Sequence, residues 1–140
     1  MACTFTPCPQ QRLDKMTQLE EQFALFKEKY PDATLEPQGN GTAVIVVPSF
    51  SLPEGWSKRE TRIAFVVPAG FPYARPDCFW ADGDLRLPNG NAPANTGNTV
   101  QPGVPPGMLW FSYHASTWSP NADSLLTYIN VIRGRLVDRR

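Results

Sequence analysis

Hydrophobic and polar positions fall into two helical stripes, with a β-rich stretch and a long irregular excursion between them. Met16, Leu19, Phe23, Phe26 and Tyr30 recur at steps of three and four, which places them on one side of a helix. The spacing predicts a helix from about Asp14, as N-cap, to Tyr30, where Pro31 stops it. Its other face carries Lys15, Gln18, Gln22 and Lys29 and reads as solvated or as a docking face. Residues 1–12 are polar, punctuated by Pro7 and Pro9, and read as a flexible N-terminal arm.

Four strands are expected next. Ala33–Glu36 leads into the turn Pro37-Gln38-Gly39-Asn40-Gly41, and Thr42–Phe50 is a β-branched run ending near Pro48. Arg59–Val67 alternates as a half-buried antiparallel strand does, and Asp77–Ala81 follows the crossover from Pro68 to Pro76. The last element is a helix from about Pro120 to Val137. Ser119 would be its N-cap with Pro120 at N1, and Leu125, Ile129, Ile132 and Leu136 its buried stripe. Gly134 marks where it would begin to fray. The order predicts an α+β domain over residues 13–140: N-terminal helix, four-stranded antiparallel meander, long flap, C-terminal helix.

The flap runs from Pro88 to Gly107 and is rich in Pro, Gly and Asn. Two aromatic anchors flank it, Phe71–Trp80 and Tyr113–Pro120, the way a chain displays a functional surface. Pro102, Pro105 and Pro106 stiffen it toward a preorganised binding edge.

Composition narrows the chemistry. At 140 residues, 41% hydrophobic and 19% charged, the chain is one globular domain's worth. Net charge is zero, which gives no reason to expect nucleic acid or a membrane surface as partner. Arg133, Arg135, Arg139 and Arg140 gather at the end of the last helix and read as a complement to its dipole. Cys3, Cys8 and Cys78 lack zinc spacing, and His114 is the one histidine, so no metal and no cofactor is expected. No apolar run is long enough to span a bilayer. A cytoplasmic protein with reduced thiols follows.

Several segments resemble the ubiquitin-conjugating enzyme (E2) fold. Phe71-Pro72-Tyr73-Ala74-Arg75-Pro76 stands like that family's Tyr-Pro-Phe-x-Pro-Pro. Trp118-Ser119-Pro120 matches its Trp-Ser-Pro, and Leu87-Pro88-Asn89 resembles its His-Pro-Asn with Leu for His. More closely the chain is similar to the prokaryotic E2 family E, in the Leu52–Trp56 turn, the Gly70–Trp80 run, Leu85-Arg86-Leu87 and the Phe111–Leu125 segment. The resemblance implies an E2-like component of a bacterial ubiquitin-like conjugation system. Its partners would be an E1-like adenylating enzyme and a ubiquitin-like modifier, met through the first helix and the flap.

An E2 carries its modifier as a thioester on a cysteine of the flap region. Counting from Asn89 at the family's spacing reaches Gly97, and counting back from Trp118 reaches Trp110. No cysteine occurs from Phe79 to Arg140. The usual nucleophile is missing.

Other residues then become candidates. Cys78 reads as a buried structural thiol. His114 reads either as a brace for the flap or as a general base. Ser112 lies two residues away, on one side with His114 if the segment is a strand, and a Ser–His pair could form an oxyester. Asn89 matches the amide held to support the oxyanion in the family, though Asn89-Gly90-Asn91 is also turn chemistry. The resemblance leaves two functions open: conjugation through a non-cysteine side chain, or a catalytically inactive E2 variant that binds and scaffolds.

Overall fold

The computed structural model describes the backbone of residues 7–140 and the side chains from Gln18 onward. Helix α1 spans Pro7–Lys29, so it starts ahead of Asp14 and takes in part of the expected arm; residues 1–6 lie outside the described residues. Proline is tolerated in a first turn because its missing N–H falls where helical N–H groups have no partner. The stripe docks as its spacing implies. Phe26 is fully buried, with Leu19, Phe23 and Tyr30 packed around the core and Met16 outside the described side chains. Phe26 meets Tyr30 at 5.0 Å and Phe65 at 6.3 Å between ring centroids.

Six strands follow: β1 Thr34–Pro37, β2 Ala43–Ser51, β3 Glu60–Val67, β4 Phe79–Ala81, β5 Thr96–Gly97 and β6 Leu109–Phe111. They form one sheet in the order β1-β2-β3-β4-β6-β5, antiparallel at every pairing. The expected four-strand meander is β1–β4. The flap adds β5, and β6 follows it directly; both are too short for a periodic signal. β2 runs past Pro48 because a register shift between Val47 and Phe50 takes the proline, which has no N–H, off the ladder.

The sheet is buried on both sides, which explains the continuous apolar run in β2. Ile45, Val47, Ile63, Phe65, Phe79, Ala81 and Phe111 face the helices, joined by Leu125, Tyr128, Ile129 and Ile132 of the second helix. Ala64, Trp80 and Met108, with Val46, Val66, Val104 and Trp110, make a smaller cluster on the other face. The flap covers that cluster. Gly103, at φ +89°, brings flap backbone so close that a Cβ would lie 2.8 Å from Val44 Cγ2.

Helix α2 spans Leu125–Val137, shorter than expected. Ser124 is its N-cap, and Thr127 completes a capping box. Ser119 and Pro120 instead belong to a separate turn, in which Ser119 N–H donates to Asp123 Oδ2 at 2.6 Å. Ser119 O accepts from the amides of Ala122 and Asp123. The Ser-Pro start signal was outcompeted by a better cap further on. Gly134 causes no early end, since the helix continues to Val137.

Candidate functional site

The anchors on either side of the flap meet where β4 begins and β6 ends. Trp118 Nε1 donates to Pro72 O at 2.8 Å, and its ring lies 6.2 Å from Phe71, so the two family-like motifs are tied directly together. Beside them Asp77 and Cys78 face Tyr113 and His114. Cys78 N–H donates to Tyr113 O at 2.9 Å, and the Tyr128 hydroxyl donates to Cys78 O at 2.7 Å.

Those two bonds hold Cys78 at φ +62°, a left-handed conformation that costs a residue with a side chain about 1–2 kcal/mol. Its thiol is half-buried. Burial, then the Asp77 charge, pushes the thiol up from its ordinary value, so it rests protonated, the opposite of an activated nucleophile. Tyr128 is fully buried, and burial pushes its phenol well above the ordinary range. It is a fixed donor.

His114 Nδ1 lies 3.2 Å from Asp77 Oδ1, with both side chains more than half exposed. That pairing links the segment after β6 to the residues just before β4. Ser112 is exposed, and its N–H donates to Asn95 O at 2.8 Å. Its hydroxyl makes no hydrogen bond to His114 among the described residues. β6 ends at Phe111, so the alternation expected to align Ser112 with His114 does not extend to them.

Asn89 is also exposed, and its Oδ1 accepts from Asn91 N–H at 2.9 Å. Leu87 and Gly90 close the same turn through Leu87 N–H to Asn91 O and Gly90 N–H to Leu87 O. The turn engages the oxygen of the amide, not the NH2 donor that an oxyanion would need. Sequence reasoning passed over Asp77 and Tyr128. Tyr128 carried a signal, lying three residues after Leu125 and four before Ile132, while Asp77 becomes visible only through its pairing with His114.

Trp110, reached by counting back from Trp118, pairs with Trp80 and Gly97 across the sheet and is half-buried on the outer face. Gly97, the residue reached by counting forward from Asn89, is its partner on β5, so the two counts end side by side and neither lands on a thiol. Among the described residues no group of three His, Cys, Asp or Glu side chains could hold a metal ion. No described helix is long and apolar enough to cross a membrane.

Two surface grooves flank these anchors. One, of about 260 Å³, is lined by Gln18, Glu21 and Gln22 of α1 with Pro72, Tyr73, Pro120 and Asn121. Tyr73 is 76% exposed there. The other, of about 290 Å³, lies under the flap between Trp80, Val104, Pro105, Pro106 and Met108.

A helix on each side of an antiparallel sheet in sequence, a flap, and anchors tied by Trp118 define an α+β protein of the E2 type. The chain matches the prokaryotic E2 family E over residues 21–138, and it belongs to that family. No curated protein and no solved structure matches it significantly. Membership brings an E2-like role in a bacterial conjugation system, and with it dealings with E1-like and ubiquitin-like proteins in general.

Proposed function

We propose that this chain binds an E1-like adenylating enzyme, a ubiquitin-like modifier, or both, and takes part in conjugation without a cysteine nucleophile. The observation that carries this is the conjunction of family membership over residues 21–138 with the lack of any cysteine from Phe79 to Arg140, where the family's spacing falls on Gly97 counted from Asn89 and on Trp110 counted from Trp118. The groove between α1, Pro72-Tyr73 and Pro120-Asn121 supports the binding role. It offers an exposed aromatic ring, two prolines and three polar helix side chains on a rigid frame.

Should the chain carry the modifier, Ser112 Oγ is the group to do so. It would attack the modifier's thioester carbonyl, forming a C–O bond and breaking the C–S bond to the E1-like partner. The partner's thiolate leaves and the Ser112 proton is taken up by that thiolate, or by the imidazole of His114, which pairs with Asp77, once partner binding has brought Ser112 to it. The second reading, a catalytically inactive E2 variant that binds and scaffolds, is favoured by the separate bonding of Asn89, Ser112 and His114.

Partner binding by wild type, Tyr73→Ala, Ser112→Ala and His114→Ala tests the proposal. Tyr73→Ala should weaken binding by roughly ten-fold or more, as loss of an interface aromatic does, without changing thermal stability. Ser112→Ala and His114→Ala should bind as wild type. Equal binding by Tyr73→Ala would remove the groove from the account.

A further inference from the structure

Arg135 is the feature that neither the family resemblance nor the site uses. It occupies a buried position of α2, 2% exposed, although its side chain is charged. Among the described residues its guanidinium bonds only to main-chain oxygens, not to an Asp or Glu side chain. Nη1 donates to Asp138 O at 2.8 Å. Nη2 donates to Ala94 O and to Arg140 O, each at 2.9 Å.

These carbonyls belong to different parts of the chain. Ala94 lies in the flap, while Asp138 and Arg140 follow α2. The two parts also bond to each other, through Ala94 N–H to Arg140 O at 3.0 Å. Arg140 Nε holds Asp138 Oδ2 at 2.6 Å, which keeps the segment folded back on itself. Beneath the guanidinium lies the Phe111 ring, 5.2 Å away, on the strand that pairs with β5. Burial, then Arg140, pulls the guanidinium below its ordinary value, the mark of a charge taken out of water.

An aliphatic side chain at this position could make none of these bonds. What arginine adds is a planar fork able to bond two chain segments at once. Ala94 leads directly through Asn95, at φ +59°, into β5, and Asn95 O accepts from Ser112 N–H. Whatever fixes Ala94 therefore fixes β5 and the entry to the Ser112–His114 segment.

We propose that Arg135 and residues 138–140 form a clasp that positions the flap, so that flap and C-terminal segment open together as one unit, separately from the core. A partner that took hold of residues 138–140 would thereby release the flap beside Ser112. The clasp makes the C-terminal segment a control point for the flap. It does not depend on the conjugation reading.

Hydrogen exchange followed residue by residue tests this on two variants, deletion of residues 138–140 and Arg135→Lys. The deletion removes two of the guanidinium's three acceptors and the acceptor of Ala94 N–H; an ammonium retains the charge but lacks the fork. In both, the amides of Ala94 and Ser112 should exchange roughly ten-fold faster or more, while the β2 amides of Val44 to Val47 stay as in wild type. Unchanged exchange at Ala94 and Ser112 overturns the proposal. So does an equal acceleration in β2, which would report global destabilisation instead of flap release. If either variant fails to fold, the other decides alone.

Discussion

Tyr128→Phe removes one oxygen atom from the middle of the molecule, and the structure says what should follow. The ring keeps its packing, 5.2 Å from Phe65 between centroids. What disappears is the 2.7 Å hydrogen bond to Cys78 O. A part-buried acceptor left without its donor costs about 1–3 kcal/mol. For a chain of 140 residues, each kcal/mol moves the melting temperature by about 3 °C, so a fall of about 3–10 °C is expected.

A second, local effect should accompany the first. Cys78 is held left-handed between Tyr113 O and the Tyr128 hydroxyl, and loss of one hold lets that backbone relax. Alkylation of Cys78, followed on its own peptide by mass spectrometry, should then be faster than in wild type. Calorimetry supplies the first number and alkylation the second. A melting temperature within about 1 °C of wild type, with unchanged alkylation, would refute the claim that Tyr128 fixes this junction.

Two further expectations come from the same contacts. Gly103→Ala forces a side chain into the left-handed region and against Val44 and Gln38, so it should destabilise by about 1–2 kcal/mol or more, measured by chemical denaturation. Titration gives the other. Tyr128, raised by burial above 10.0, and Lys58, raised above 10.5 by its bonds to Asp82 and then Asp84, hold their protons more tightly when folded. Their stabilisation is complete below pH 10 and is lost as pH rises beyond it. Asp82 is the converse: burial pushes its carboxyl up, but hydrogen bonds from Lys58 and Arg62 outweigh that and leave it below 3.8. Its contribution is present above pH 3.8 and disappears as pH falls further. Melting temperature against pH should show both limbs; Asp82→Asn should flatten the acid one and Tyr128→Phe the alkaline one.

How much of this was legible beforehand depends on the kind of signal. The stripes of α1 and α2 and the β-branched run of β2 were readable because burial repeats with the period of the element. β5 and β6 were not, since two or three residues cannot show a period. The start of α2 misled because Ser119-Pro120 satisfies the local cap pattern, while Ser124 and Thr127 satisfy it reciprocally. In the sequence Arg135 looks like its arginine neighbours, a complement to the helix dipole; its charge hides its place beside Leu136 in the buried set. At the site, the motifs located the anchors correctly. The Asp77–His114 pairing and the left-handed Cys78 depend on which strands meet, a tertiary fact that no local pattern carries.

The missing cysteine remains the centre of the account. Wild type, Cys78→Ser and a variant with all three cysteines replaced by serine should be incubated with the cognate E1-like enzyme, modifier and ATP. Each mixture is then resolved with and without reducing agent, and complex formation is followed by gel filtration. The account predicts that chain and partner co-elute in every case and that no thiol-labile adduct forms on this chain; any adduct is thiol-resistant and survives removal of the cysteines. A reducible adduct on wild type that vanishes in Cys78→Ser, or the absence of any complex, would contradict it.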